Sequence, residues 1–249
     1  MKSAKWIDIK DDDGYDLEHF VLPTHYEKDL QRVLVPYGLI RDRVSKLAQM
    51  IAAECENPLV ACCVLKVHMS VSGPIPFFGF SRPITLFQGA HGFFAHLMED
   101  LKKQKNRRGE SIPLRLEFIK VKSYENDQST GNVTISLSEE DMQAFKGKDL
   151  LIVEDIVDTG KTMVALIERL KQYNPASIRV VSLLLKKTDR SNKYVPDYVG
   201  FAIPDLFVVG YCVKYAQIAS HMQLDYNEHF RDLDHIAVIS DHGKTAYAE

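Results

Sequence analysis

Leu150-Leu151-Ile152-Val153-Glu154-Asp155-Ile156-Val157-Asp158-Thr159-Gly160-Lys161-Thr162 reads as a buried strand that ends in two carboxylates, then a tight polar loop, then the first turn of a helix. The apolar run Leu150 to Val153 does not alternate, as suits a parallel strand covered on both faces. Beyond it Met163, Val164, Ile167 and Leu170 recur at helical spacing until Asn174-Pro175 stops the helix. Such a corner aims several backbone N–H groups and the positive end of a helix dipole at one point, which seats a phosphate. The carboxylates need a different partner, because they would repel a phosphate at any dielectric a protein site offers. A sugar diol donates hydroxyls to carboxylates, and a magnesium ion chelated by the ligand tolerates two negative neighbours. The string therefore describes a phosphorylated sugar held with a hard cation.

Commoner readings of the same letters fit less well. Gly160-Lys161-Thr162 imitates the end of a P-loop, but that motif requires glycine where this chain has Asp155. Receiver domains also close a hydrophobic strand with an acidic pair, yet do not follow it with a Thr-Gly-Lys-Thr turn. An ordinary strand-loop-helix corner with acids on its rim does not call for Asp158, Thr159, Gly160, Lys161 and Thr162 in one loop. The string resembles the phosphoribosyl-diphosphate (PRPP) signature of type I phosphoribosyltransferases.

Other segments narrow that resemblance. Lys122-Ser123-Tyr124-Glu125-Asn126-Asp127-Gln128-Ser129-Thr130-Gly131, Ser182 to Thr188, Pro196 to Phe201, Phe207-Val208-Val209-Gly210-Tyr211 and Leu224-Asp225-Tyr226-Asn227-Glu228-His229-Phe230-Arg231-Asp232-Leu233 are similar to the hypoxanthine-guanine phosphoribosyltransferases of animals. The likeness runs from about Trp6 to Tyr247, apart from two interruptions.

Composition sets bounds. With 249 residues, 45% hydrophobic and 26% charged, the chain can form one well-buried domain and a small lid. A net charge of −3 gives no electrostatic footprint for nucleic acid or an anionic membrane. Met1 to Tyr15 is polar and acid-rich, without the apolar core of a signal peptide, and no apolar run reaches membrane-spanning length. The four cysteines, Cys55, Cys62, Cys63 and Cys212, have no zinc spacing and suit a reducing cytosol as free thiols. Helices are expected at Ile40 to Glu54, at Phe93 to Lys103 and after the signature loop. Strands are expected at Leu59 to Leu65, Leu114 to Val121, Ile178 to Leu185, Tyr198 to Ala202, Phe207 to Tyr211 and Ile236 to Ser240, besides the signature strand. This alternation predicts an α/β fold, a parallel twisted sheet flanked by helices, with ligands beyond the carboxyl ends of the strands. The polar stretch Lys122 to Ser138 reads as a lid, an inert surface loop being the plainer alternative.

The resemblance implies a single phosphoribosyltransferase domain over 1–249, with a small hood drawn from the N-terminal segment and about 186–235. It implies transfer of ribose 5-phosphate from PRPP to N9 of hypoxanthine or guanine, in the cytoplasm, by a homo-oligomer (dimer or tetramer). Glu154 and Asp155 would hold the ribose hydroxyls and, with Asp225, the magnesium. Asp158, Thr159, Gly160, Lys161 and Thr162 would hold the 5-phosphate, and Asp158 would take the proton from N7 of the purine as general base. Side-chain capping of the helix by Asp158 is compatible with that role. Lys186 can only donate, so it suits a 6-oxo acceptor and disfavours the amino group of adenine. Phe207 would stack on the purine, while Val208 and Asp225 would read its edge. Taken alone, Phe207 is a core residue, and Lys186 and Arg231 are surface cations. By the resemblance, Lys66, Gly89 and Arg231 would hold pyrophosphate, and Ser123 and Tyr124 would belong to the closing lid.

Two departures fall at this site. The family's pyrophosphate loop runs Leu-Lys-Gly-Gly, whereas here Leu65-Lys66 is separated from Gly89-Ala90 by residues 67–88. Gly210-Tyr211-Cys212 is likewise separated from Leu224-Asp225 by 213–223. Each segment begins with Val and ends with Gln, residues whose codons can spell intron borders, so both can be read as retained introns or as true loop insertions. A long loop costs little closure entropy, but registration of Lys66 with Gly89, and of Phe207 with Asp225, is put in question. A non-catalytic nucleotide-binding protein is therefore the alternative function. A regulatory RNA-binding relative lacks any basic stripe.

Overall fold

The computed structural model describes residues 6–66, 91–123, 133–136, 139–211, 230 and 232–247. The strands are β1 (Ile7–Asp8), β2 (Leu30–Val35), β3 (Leu59–Lys66), β4 (Leu114–Ser123), β5 (Val133–Ser136), β6 (Asp149–Val157), β7 (Ser177–Lys187), β8 (Tyr198–Pro204), β9 (Val208–Val209) and β10 (Ile236–Ile239). The helices are α1 (Tyr37–Ala53), α2 (His91–Lys103), α3 (Glu139–Gln143), α4 (Lys161–Lys171) and α5 (Asp241–Ala246). A seven-stranded sheet has the order β1-β8-β7-β6-β3-β4-β5. Its strands are parallel except β5, which pairs antiparallel with β4 at one edge.

Residue alternation along β6 explains the layering. Leu151 and Val153 pack with Val44 and Leu47 of α1 and Leu97 of α2, whereas Leu150 and Ile152 pack with Met163, Leu166 and Leu170 of α4. The sheet is thus covered on both faces, which is why the strand reads as continuously apolar. A second, antiparallel sheet, β2-β10-β9, encloses its own small core of Tyr26, Leu30, Val209, Phe230, Leu233, Ala237 and Ile239.

Several boundaries differ from the sequence expectation. The signature strand continues past its carboxylates through Ile156 and Val157. The presumed lid of 122–138 is partly strand, since β4 runs to Ser123 and β5 returns along it from Val133. The strand expected at Phe207 to Tyr211 contracts to Val208–Val209, because Gly210 and Tyr211 take left-handed φ of 92° and 46° and turn the chain. β2 and β5 are strands that the sequence reading did not foresee.

Candidate active site

The sheet opens where its two middle strands part. β3 and β6 are paired from Leu59↔Asp149 to Cys63↔Val153. Beyond that point β3 continues with β4 as far as Lys66↔Val121, and β6 continues with β7 as far as Val157↔Leu185. From β3 the chain proceeds to β4 on one side, and from β6 to β7 on the other. This is the reversal point of an open α/β sheet, where the carboxyl ends form a ligand crevice.

The acids stand on the lip of that crevice. Glu154 and Asp155 are each 2% exposed. An oxygen of Asp155 accepts the amide N–H of the next residue, Ile156, at 2.7 Å. Ile156 joins the core cluster of Leu151 and Val153, so the odd–even alternation of the strand breaks at the acidic pair. Their negative field is felt across the ladder: burial, and then the charges of Glu154 and Asp155, push the Cys63 thiol well above its ordinary range. Hard carboxylate oxygens of this kind suit a divalent cation. Among the described residues, the group of three or more acids and histidines close enough for a protein cage is Asp16, Glu18 and His19, all exposed and on the N-terminal segment. Glu154 and Asp155 could hold a divalent cation through one or two carboxylates, with the remaining oxygens from substrate and water.

The phosphate corner follows directly. Gly160 is the N-cap of α4, with φ 78° and ψ −8°, and no side chain caps the helix start. Asp158 therefore does not serve as the capping residue. A Cβ at position 160 would collide with Asn192 and lie 2.9 Å from the Cβ of Tyr194. The Asn192 amide donates to the Thr159 carbonyl at 2.9 Å, which fastens the loop after β7 onto the corner. The first turn of α4 contains no acidic residue, so its amides face outward with the field an anion prefers. Thr159 and Thr162 are half-buried beside it and Lys161 is exposed.

The residues expected to read the base lie at the ends of β7 and β8 and in β9. Lys186 is the penultimate residue of β7 with its side chain 1% exposed, and its Nζ lies 3.1 Å from Oδ1 of Asp205, just past β8. The surface placement that a lone lysine would take is thus excluded. Arg190 Nη2 lies 3.4 Å from Asp205 and 3.8 Å from Oδ1 of Asp158. That Asp158 oxygen is buried and makes no hydrogen bond within the chain. Burial drives the Asp205 carboxyl upward, but hydrogen bonds from Lys186 and Thr188 and the charges of Lys186 and Arg190 outweigh it and hold it below the ordinary carboxylate range. Phe207 is half-buried against the small core of the second sheet, and Val208 is buried in β9 opposite Val238.

Asp205, Thr188, Arg190, Asn192 and Tyr194 escaped the sequence reading. For Asp205 a signal existed: a lysine directly after the apolar run Leu183-Leu184-Leu185 needs a counter-ion, and this acid lies two positions before Phe207. Asn192 gives no comparable signal. Lys66 and Ser123 end their strands at the carboxyl edge, with side chains outside the description. Gly89, Tyr124, Asp225 and Arg231, and the segments 67–88 and 213–223, lie outside the described residues.

With this geometry in hand, comparison with known proteins is specific. Residues 84–216 match the phosphoribosyl transferase domain family. The chain is 45% identical over 241 residues to the hypoxanthine-guanine phosphoribosyltransferases of Rattus norvegicus and Homo sapiens, covering 96% of this chain and 95% of each relative. The crystal structure of hypoxanthine-guanine phosphoribosyltransferase from Schistosoma mansoni in complex with IMP superposes with a TM-score of 0.69 at 30% identity, covering 98% of this chain and all of that one. Family model, near-complete relatives and fold agree, and the chain belongs to the hypoxanthine-guanine phosphoribosyltransferases of the phosphoribosyl transferase family.

Proposed function

We infer that this chain performs purine salvage, moving the 5-phosphoribosyl group of PRPP to N9 of hypoxanthine or guanine and forming IMP or GMP with release of pyrophosphate. The observation that carries this reading is the parting of β3 and β6 with buried Glu154 and Asp155 on its lip, an uncapped α4 beside them and Lys186 on the same edge. A non-catalytic binding role is not favoured, given the near-complete match to curated transferases.

As the glycosidic bond to pyrophosphate loosens, positive charge grows on the ribose, and Glu154 and Asp155 supply fixed negative potential while accepting from its hydroxyls. Amides of Asp158 to Thr162, with the hydroxyls of Thr159 and Thr162, grip the 5-phosphate. Asp158 accepts the N7 proton as N9 attacks; its buried, unbonded oxygen suits an incoming donor. Lys186 donates to the 6-oxo group, Phe207 stacks on the ring, and Val208 and Asp225 read its edge. Lys66, Gly89 and Arg231 take the leaving pyrophosphate. Glu154, Asp155 and Asp225 would hold magnesium, which would supply charge neutralisation to the diphosphate. Ser123 and Tyr124 belong to a lid that keeps water from the reacting sugar.

The enzyme is one domain over 1–249, with the β2-β10-β9 sheet in its hood, and it works as a homo-oligomer. Its placement is the cytoplasm, where Cys55, Cys62 and Cys63, buried free thiols, remain reduced. No helix among the described residues is long and apolar enough to cross a membrane. IMP formation from hypoxanthine and PRPP is the test, run on the full chain and on a version lacking 67–88 and 213–223. Turnover by the full chain supports the reading; turnover by neither ends it.

A further inference from the structure

Resting on that reading of the site, we propose that Asp205 is a positioning residue for base selection: it anchors the Lys186 ammonium and aims it at the 6-position of the purine.

The placement comes from strand register. Lys186 of β7 pairs with Ile203 of β8, and Asp205 follows two positions later, where side chains return to the same face. The turn that places it is closed by the Leu206 amide donating to the Pro204 carbonyl at 2.8 Å. The Lys186 side chain is 1% exposed, and the Asp205 carboxylate stands at 3.1 Å as its counter-charge and fixes where the ammonium sits. Thr188 and Arg190 steady that carboxylate from the loop after β7, and it remains ionised at neutral pH. Arg190 also reaches toward Asp158, so the grip on Lys186 and the group that takes the N7 proton share one neighbour. Phe207 follows in the same turn. Ring and ammonium are thereby referenced to one short piece of backbone.

Selectivity follows from proton inventory. An ammonium offers donors only, which suits the oxygen of a 6-oxopurine and opposes the amino group of adenine. Held in place by Asp205, the ammonium meets the oxygen of a 6-oxopurine and sets a donor against the amino group of adenine. Thr188, Arg190 and Asp205 thus act on base choice without touching the ribose or its phosphate.

Calorimetry of the full chain with magnesium, using IMP, AMP and ribose 5-phosphate, tests this. Wild-type protein is expected to prefer IMP over AMP, and Asp205→Asn to weaken IMP about tenfold, leave ribose 5-phosphate unchanged and narrow the IMP-to-AMP ratio. Asp205→Glu, which retains the charge, should recover part of the preference. In a Lys186→Met background, Asp205→Asn should have no further effect, because its action passes through the lysine. The proposal is overturned if Asp205→Asn leaves the ratio intact, if IMP and ribose 5-phosphate weaken together, or if the effect persists without Lys186. Wild-type protein that binds none of the three probes would instead refute the functional reading on which the proposal stands.

Discussion

At Gly160 one missing side chain serves two ends. Its φ of 78° lies in the left-handed region, and a Cβ there would drive into Asn192 and Tyr194. Gly160→Ala adds about 1–2 kcal/mol of backbone strain to the displacement of the loop that covers the corner. At roughly 2–4 °C per kcal/mol for a chain of this size, a fall in Tm of at least about 2–8 °C is expected, with weakened ribose 5-phosphate binding, both measurable by thermal melting with and without ligand. Asp158 presents the opposite case. Among the described residues its Oδ1 is buried without a hydrogen bond, and its cation contact there, Arg190 at 3.8 Å, involves a half-exposed guanidinium and contributes little to stability. Asp158→Asn is therefore expected to leave Tm unchanged while lowering kcat by about 10²–10⁴, the usual worth of a general base, with little change in KM for PRPP. A stability loss with normal turnover would reassign Asp158 to the scaffold.

Among the elements, α1 shows what could and could not be read ahead. Its apolar spacing placed a helix from Ile40, and the helix starts at Tyr37, because the chain leaves Pro36 in an extended conformation and the Tyr37 amide finds a cap in Nδ1 of His235 at 2.9 Å. That cap comes from the far end of the chain, so nothing local announces it. β2 and β5 were missed as well: β2 is paired by β10, from the far end of the chain, and β5 by β4. The His235 cap has a pH consequence. Accepting from Tyr37 requires an unprotonated Nδ1, and burial holds the pKa of His235 below 6.5, as burial and then the Arg41 charge do for His96, whose Nδ1 meets the Tyr211 hydroxyl at 2.7 Å. The unfolded chain then takes up protons that the folded one refuses, so stability is full above the unfolded pKa and declines as pH falls below it. Tm should hold steady above about pH 7 and fall between about pH 7 and 5, before the depressed carboxyls of Asp149 and Asp205 begin to act near pH 4. His235→Gln, which can still accept from Tyr37, should flatten that slope; an unaltered slope would show that His235 is not its source.

For the whole molecule, the split between legible and hidden follows how each part of the crevice is built. The corner from Glu154 to Thr162 is one continuous stretch, so its chemistry could be read directly. The proposed base-reading end is assembled from the ends of β7 and β8 and the loop after β7, and Asp205 and Arg190 became visible only in three dimensions. The proposed pyrophosphate end depends on Lys66, at the tip of β3, and on Gly89 beyond the segment 67–88. These three origins make separable thermodynamic forecasts. Ribose 5-phosphate touches the contiguous corner, so it should raise Tm equally in the full chain and in one lacking 67–88 and 213–223. At a hundred times its dissociation constant the gain is about 2.7 kcal/mol, or roughly 5–11 °C. PRPP with magnesium adds the diphosphate contacts and should raise Tm further than ribose 5-phosphate at the same concentration. Because a longer loop adds little closure entropy, that extra shift is expected to persist in the full chain. Its loss there, with the ribose 5-phosphate shift intact, would place the damage at the Lys66 to Gly89 connection. Loss of the ribose 5-phosphate shift in both versions would remove the corner itself as the phosphate seat.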